Sequence, residues 1–143
     1  MFPPSIGILI ENPSFVAEYT GLKNLEMLAC IKNKIGIEDI RHAMEQVGLD
    51  PDDKRTYKKY SLGMKQKLGI AAAFMEKPDI IILDEPINAL DEAGAKQVHK
   101  ILEEQKKRGA LIIIACHDKE ELEMLSDEII EIYEGRIVAG EKE

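Results

Sequence analysis

The run Ile80-Ile81-Ile82-Leu83-Asp84-Glu85-Pro86 passes from β-branched and aliphatic residues straight into two adjacent carboxylates. A segment of that composition makes a central strand, and open α/β sheets bind ligands outside the carboxyl ends of their strands. An Asp at that end can hold Mg²⁺ through water while the cation bridges nucleotide phosphates. On an extended chain Glu85 points the other way from Asp84, where it can take a proton from, or orient, an attacking water. Taken alone, the same motif also reads as two solvated acids at a strand end.

Three further segments carry candidate chemistry. In Tyr60-Ser61-Leu62-Gly63-Met64-Lys65-Gln66 a Ser and a Gly open a helix. Free N–H groups, a hydroxyl and the helix dipole make an anion site there, and Gly63 lets backbone come close to a phosphate. Ser61 as a plain N-cap is the simpler reading. His117 follows the apolar run Leu111 to Cys116. In a parallel sheet it shares an edge with Asp84, where an imidazole can reach a γ-phosphate and an attacking water. A lone His at a strand end also serves structure, and His42 and His99, in helices without polar company, are read that way. Asn88-Ala89-Leu90-Asp91 follows the Asp-Glu-Pro corner. Asp91 fits a helix N-cap, and the segment could also pass between two subunits.

The elements that position these residues follow from periodicity. Ile6 to Ile10 reads as a short strand, broken by Glu11-Asn12-Pro13. Thr20 caps a helix from Gly21 to about Lys34, with Leu22, Leu25, Leu28 and Ile31 at helical spacing. Glu38 to Val47 repeats the pattern with Ile40, Ala43, Met44 and Val47, and Gly48 suits the stop. Asp50 to Lys59, polar and aperiodic, reads as a loop. A helix runs from about Gly63 to Glu76, then a strand from Asp79 to Leu83. A helix from Asp91 to about Lys107 stops at Gly109. Ala110 to Cys116 is a strand and Lys119 to about Leu125 a short acidic helix. Asp127 to Tyr133 and Arg136 to Ala139 are strands joined by a tight turn at Glu134-Gly135. Strands apolar along their whole length suggest a parallel sheet covered on both faces.

Composition bounds the function. The 143 residues fit one domain, and 45% hydrophobic residues suffice for a core. A net charge of −8 argues against nucleic-acid binding. Cys30 and Cys116 lack metal-ligand spacing and read as buried reduced thiols. No apolar run reaches the roughly 18–20 residues that span a bilayer. Met1-Phe2-Pro3-Pro4-Ser5 has neither the basic nor the long apolar region of a signal peptide. The chain is therefore expected to be soluble, with any membrane role exercised through a partner.

In their order, these pieces resemble the nucleotide-binding domain of ABC transporters over nearly the whole chain. The resemblance implies an α/β fold of the P-loop NTPase, ABC type: a mostly parallel sheet with flanking helices, preceded by a helical subdomain. It implies residues 1–13 as a strand and Q-loop region, 14–78 as the helical subdomain with the signature motif, and 79–143 as the C-terminal part of the RecA-like core. It makes Ser61 to Gln66 the signature motif, so that Ser61, Gly63 and Met64 bind nucleotide. Asp84 is then the Walker B aspartate and Glu85 the catalytic glutamate. Asn88 to Asp91 becomes the D-loop, with Asp91 at the nucleotide, and His117 the switch histidine. Glu11 stands at the Q-loop glutamine position, with a possible metal role beside Asp84.

The resemblance further implies ATP and Mg²⁺, a homodimer or paired ATPase subunit, and an integral-membrane permease contacted by the segment from Ser14 to about Lys59. It places the protein in the cytoplasm, peripheral on the inner face of the cell membrane, without nucleic acid. Against the common Leu-Ser-Gly-Gly-Gln, Tyr60 replaces Leu, Leu62 the first Gly and Met64 the Gln. Glu11 replaces Gln, Ile87 a common Thr and Ala89 a common Gly. The Tyr-Ser-Leu-Gly-Met-Lys-Gln and Ile-Glu-Asn-Pro segments resemble the branch that handles bacitracin and lantibiotic-type peptides, which favours export.

The 143 residues hold no Gly-x-x-x-x-Gly-Lys followed by Ser or Thr, the loop that cradles the β- and γ-phosphates. The favoured expectation is the C-terminal part of a longer ATPase, inactive alone, because Asp84, Glu85 and His117 all remain; Met1 would then be an added start. On that expectation strands N-terminal to Ile6 are absent and the sheet exposes apolar surface. The other reading is a degenerate protein that never hydrolyses ATP. Rival functions are a soluble ABC-type ATPase of DNA repair or translation, and a non-catalytic docking module.

Overall fold

The computed structural model describes residues 5–11 and 13–142. The readings placed on Met1 to Pro4 and on Asn12 lie outside the described residues. The elements run in the order β1 (Ile6–Leu9), α1 (Gly21–Lys32), α2 (Ile37–Gln46), a 3₁₀ turn at Tyr57–Lys59, α3 (Leu62–Phe74), β2 (Ile80–Asp84), α4 (Glu92–Lys107), β3 (Leu111–Ala115), α5 (Lys119–Leu125), β4 (Glu128–Tyr133) and β5 (Arg136–Lys142).

β1, β2 and β3 form a parallel sheet in that order, with Leu9 opposite Leu83 and Leu83 opposite Ile114. Strand residues alternate between faces, so Gly7, Leu9, Ile81, Leu83, Ile112 and Ile114 share one side. α3 packs against β1 and β2, and α4 against β3. Leu9, Ile81 and Leu83 are buried, and Gly7 is where α3 lies closest: a Cβ there would sit 1.7 Å from the Ala73 carbonyl oxygen. The opposite side differs from the expectation of two covered faces. Ile8, Leu111 and Ile113 are exposed, at 50%, 57% and 48%. Continuous hydrophobicity along a strand does not reveal which face a helix covers; here the packed helices favour one.

The helical region is an antechamber to the sheet. α2 buries Ile40, Ala43 and Met44, the face its spacing predicts, and ends at Gly48 with φ +77°. α1 departs from its predicted stripe. Its buried face is Gly21, Asn24, Leu25 and Ala29, while Leu28 and Ile31 are exposed. Two small residues and one amide decide that choice. Gly21 admits the Tyr60 ring and Met44. Asn24 accepts from the Val16 N–H at 2.8 Å and donates to the Val16 and Thr20 carbonyls at 3.1 and 3.0 Å.

The same rotation leaves Cys30 exposed, and Cys116 is half-buried, so neither thiol is the buried one expected. The Asp50–Lys59 loop is pinned rather than free: Tyr57 is buried and its hydroxyl donates to the Pro13 carbonyl at 2.6 Å. β4 and β5 pair as an antiparallel hairpin. Its turn, Glu134-Gly135, has positive φ at both residues, as a type I′ turn requires.

Candidate functional site

Parallel pairing sets the geography of the site. β1, β2 and β3 end at the same edge, so Glu11, the Asp84-Glu85 pair and His117 follow one another along it. Asp84 ends β2 opposite Ala115. Its half-buried carboxylate makes no hydrogen bond or ion pair among the described residues. Glu85 is where the strand geometry stops. Its φ of +48° lies in the left-handed region, so the simple alternation expected from an extended chain ends at Asp84. Its N–H still donates to the Ala115 carbonyl, at 2.8 Å. The turn, not the pleat, therefore aims the Glu85 side chain.

That side chain meets His117. The His117 backbone N–H donates to Glu85 Oε1 at 3.1 Å, and Nδ1 of the same residue pairs with the same oxygen. The hydrogen bond from His117 holds the Glu85 carboxyl below the usual carboxylate range, despite partial desolvation. In return, the hydrogen bond and charge of Glu85 raise the His117 imidazole above its ordinary value. Glu85 Oε2 is shielded from solvent and has no hydrogen-bond partner. The arrangement is an ionised carboxylate with one oxygen fixed and the other an unused acceptor.

Cys116 belongs to the same corner. Its Sγ lies 3.1 Å from Glu121 Oε2, and Glu85, Cys116 and Glu121 bring donor atoms within 4.8 Å of one another. Burial, then the hydrogen bond to Glu121, pushes the thiol up to about 12. A protonated thiol donates a hydrogen bond; metals bind the thiolate. The group here that could hold a hydrated Mg²⁺ is Asp84, an oxygen ligand at the strand end without a hydrogen-bond partner among the described residues. Glu11 is an exposed carboxylate on the same edge with φ +51°, and no described hydrogen bond links it to Asp84.

The helix-start residues sit apart from this corner. Ser61 caps α3, its Oγ accepting from the Met64 N–H at 3.2 Å. A Cβ on Gly63 would come 3.1 Å from the Ala89 carbonyl, so Gly63 lies against the Asn88–Asp91 segment. No described hydrogen bond joins Ser61 to Asp84, Glu85 or His117. Asp91 caps α4 through Oδ1, accepting from the Gly94 N–H at 2.8 Å. The link between the two groups is Gln66, which single-residue reasoning passed over. Its Nε2 donates to the Pro86 carbonyl at 3.0 Å and to the Glu85 carbonyl at 3.2 Å. The signal available for it was an amide on the helical face it shares with Ile70 and Ala73, both buried.

The ABC transporter family model matches residues 1–88, and the chain belongs to that family. It is 46% identical over 141 residues to the uncharacterized ABC transporter ATP-binding protein YybJ of Bacillus subtilis, covering 99% of this chain and 65% of that one. It is 40% identical over 134 residues to the bacitracin transport ATP-binding protein BcrA of Enterococcus faecalis, covering 93% and 44%. Identity is also 40%, over 135 residues, to the lantibiotic transport ATP-binding protein SrtF of Streptococcus pyogenes, covering 93% and 58%. The chain thus spans less than two thirds of the length of these relatives. The fold matches the dimeric, post-hydrolysis ATP-binding cassette MJ0796 bound to ADP and Pi, with a TM-score of 0.86 at 20% identity over 96% of this chain and 62% of that one. No helix among the described residues is long and apolar enough to cross a membrane.

Proposed function

We propose that this chain is part of the ATP-hydrolysing subunit of an ABC transporter that exports a peptide antibiotic or similar compound. The observation that carries this is the convergence of Asp84, Glu85 and His117 on one sheet edge, with Glu85 fixed by His117. In the complete protein two subunits face each other head to tail. Each ATP lies between the phosphate-binding loop of one subunit and Ser61, Gly63 and Met64 of the other, with Asp91 in the segment between them.

Asp84 would hold Mg²⁺, with Glu11 on the same edge as the second carboxylate, and the cation would supply positive charge to offset that of the phosphates. Glu85 accepts a hydrogen bond from the attacking water and so aligns it with the γ-phosphate. His117 fixes Glu85 through Oε1 and senses the γ-phosphate. Because the carboxylate stays ionised near neutrality, its first role is orientation, with proton acceptance following as the bond to phosphorus forms. The 143-residue chain, which holds no phosphate-cradling loop motif, binds Mg-ATP weakly and does not turn it over.

Residues 1–13 contribute the first strand and the Glu11 corner, 14–78 the helical subdomain, and 79–143 the α/β portion. A membrane permease docks on the helical part, bringing the protein to the inner face of the cell membrane. Supporting this, Met27, Leu28, Ile31 and Ile37 are exposed there, beside a cleft of about 290 Å³ between α1 and α2. The names of the bacitracin and lantibiotic transport relatives support peptide export.

The test is Glu85→Gln in the complete protein. Steady-state ATP turnover should fall by about two orders of magnitude or more, with ATP binding retained. Turnover near wild type would refute the role given to Glu85.

A further inference from the structure

We propose that Gln66 is the positioning residue for Glu85, and that it ties the Ser61–Gly63 end of α3 to the hydrolytic corner of the same subunit. The inference rests on the role given to Glu85 above.

Gln66 is 7% exposed and lies one helical turn and a half from Ser61 on α3. Its amide donates to the Glu85 and Pro86 carbonyls. These are the carbonyls of the two successive peptides, Glu85–Pro86 and Pro86–Ile87, that lead away from Glu85, whose φ of +48° a non-glycine residue holds only under constraint. Four contacts therefore define the corner: the Glu85 N–H to β3, the Glu85 side chain to His117, the peptides beyond it to α3, and the Asn88 N–H to the Glu85 carbonyl across the turn at 3.4 Å. Remove the third and the corner is free to relax toward ordinary backbone angles, carrying the carboxylate with it.

The N-terminus of the same helix faces outward. Ser61 is exposed, and Gly63 lies against Ala89 of the Asn88–Asp91 segment. A displacement of the Ser61 end by bound nucleotide is carried along a continuous run of helical hydrogen bonds to Gln66, and from there to the Glu85 backbone. α3 thus reports occupancy at its N-terminus to the water-positioning group on its inner flank. The substrate never touches Gln66.

The experiment uses the complete ATP-binding protein. Gln66→Met keeps the side-chain length and fills the same space but cannot donate. It should lower kcat about 10- to 100-fold while KM for ATP and ATP-dependent dimer formation stay within about twofold of wild type. Gln66→Glu supplies a pH signature: its carboxylate cannot donate, but its acid form offers one O–H to the carbonyls. Its kcat relative to wild type should therefore rise as pH falls.

An unchanged kcat in a folded Gln66→Met protein would overturn the inference while leaving Glu85 untouched. Equal losses in kcat, ATP affinity and dimer formation would also overturn it, since that pattern marks a structural role. Glu85→Gln, measured alongside, separates the two levels: normal turnover there removes Glu85, and with it Gln66, from the chemistry.

Discussion

Glu85 Oε1 accepts both the backbone N–H and the Nδ1 of His117, so one oxygen is fastened twice to one residue. Each group favours the charged form of the other. The sign runs in opposite directions for the two. His117 is raised above its reference of 6.5, so its share of stability is fully present below that value and is lost as pH rises through the raised one. Glu85 is lowered from 4.5, so its share is present above that value and lost as pH falls through the lowered one. Glu85→Gln should return the His117 pKa toward its ordinary value in an NMR titration of the imidazole. An unchanged midpoint would contradict the pairing.

Gly7 carries a prediction about packing. A Cβ would sit 1.7 Å from the Ala73 carbonyl oxygen and 2.8 Å from its carbon, both backbone atoms of α3. Gly7→Ala must push helix from sheet and should destabilise the fold by about 2–3 kcal/mol. Urea unfolding followed by circular dichroism reads this directly; a midpoint equal to wild type would mean that α3 does not lie this close to β1.

Asn24 fastens the approach to α1. Asn24→Ala leaves the Val16 N–H without its acceptor and takes one donor from each of the Val16 and Thr20 carbonyls, which keep the backbone N–H groups of residues 19 and 24, costing about 1–3 kcal/mol. Asn24→Asp retains the acceptor but loses both donors. Its deficit should grow as pH rises through the carboxyl titration, whereas Asn24→Ala shows no such dependence. Parallel pH–stability curves for the two variants would argue against the donor role.

Cys116 should be chemically quiet. With its thiol pushed up to about 12, little thiolate exists at neutral pH. Iodoacetamide should label the exposed Cys30 well before Cys116, and Glu121→Ala should speed labelling of Cys116 by removing its hydrogen-bond acceptor. Peptide mass spectrometry over time checks both. Equal rates in the wild-type chain would overturn the assignment.

Much of the fold was legible because its signals are local. Thr20, Ser61 and Asp91 cap α1, α3 and α4 where their residue types predict, and Glu134-Gly135 makes the expected turn. Asp84, Glu85 and His117 were legible because parallel strands bring their carboxyl ends to one edge. What was hidden depends on partners distant in sequence. The buried face of α1 is selected by Tyr60 and Met44 meeting Gly21, and by the Asn24 amide, none of which an apolar period encodes. Gln66 looked like one more residue of a helix start, because carbonyls 19 and 20 positions away are its partners. The turn at Glu85 was invisible for a related reason: Glu has no preference for left-handed backbone, so only tertiary contacts reveal it.

That left-handed backbone sets a tension within the fold. A glycine at position 85 would relieve about 1 kcal/mol of conformational penalty and remove the carboxylate in the same stroke. Backbone strain and the two contacts to His117 therefore pull this position in opposite directions, both within the folding balance itself. A library screened for thermal resistance alone would read out that balance at position 85, glycine gaining in backbone angle what it loses in the pairing with His117.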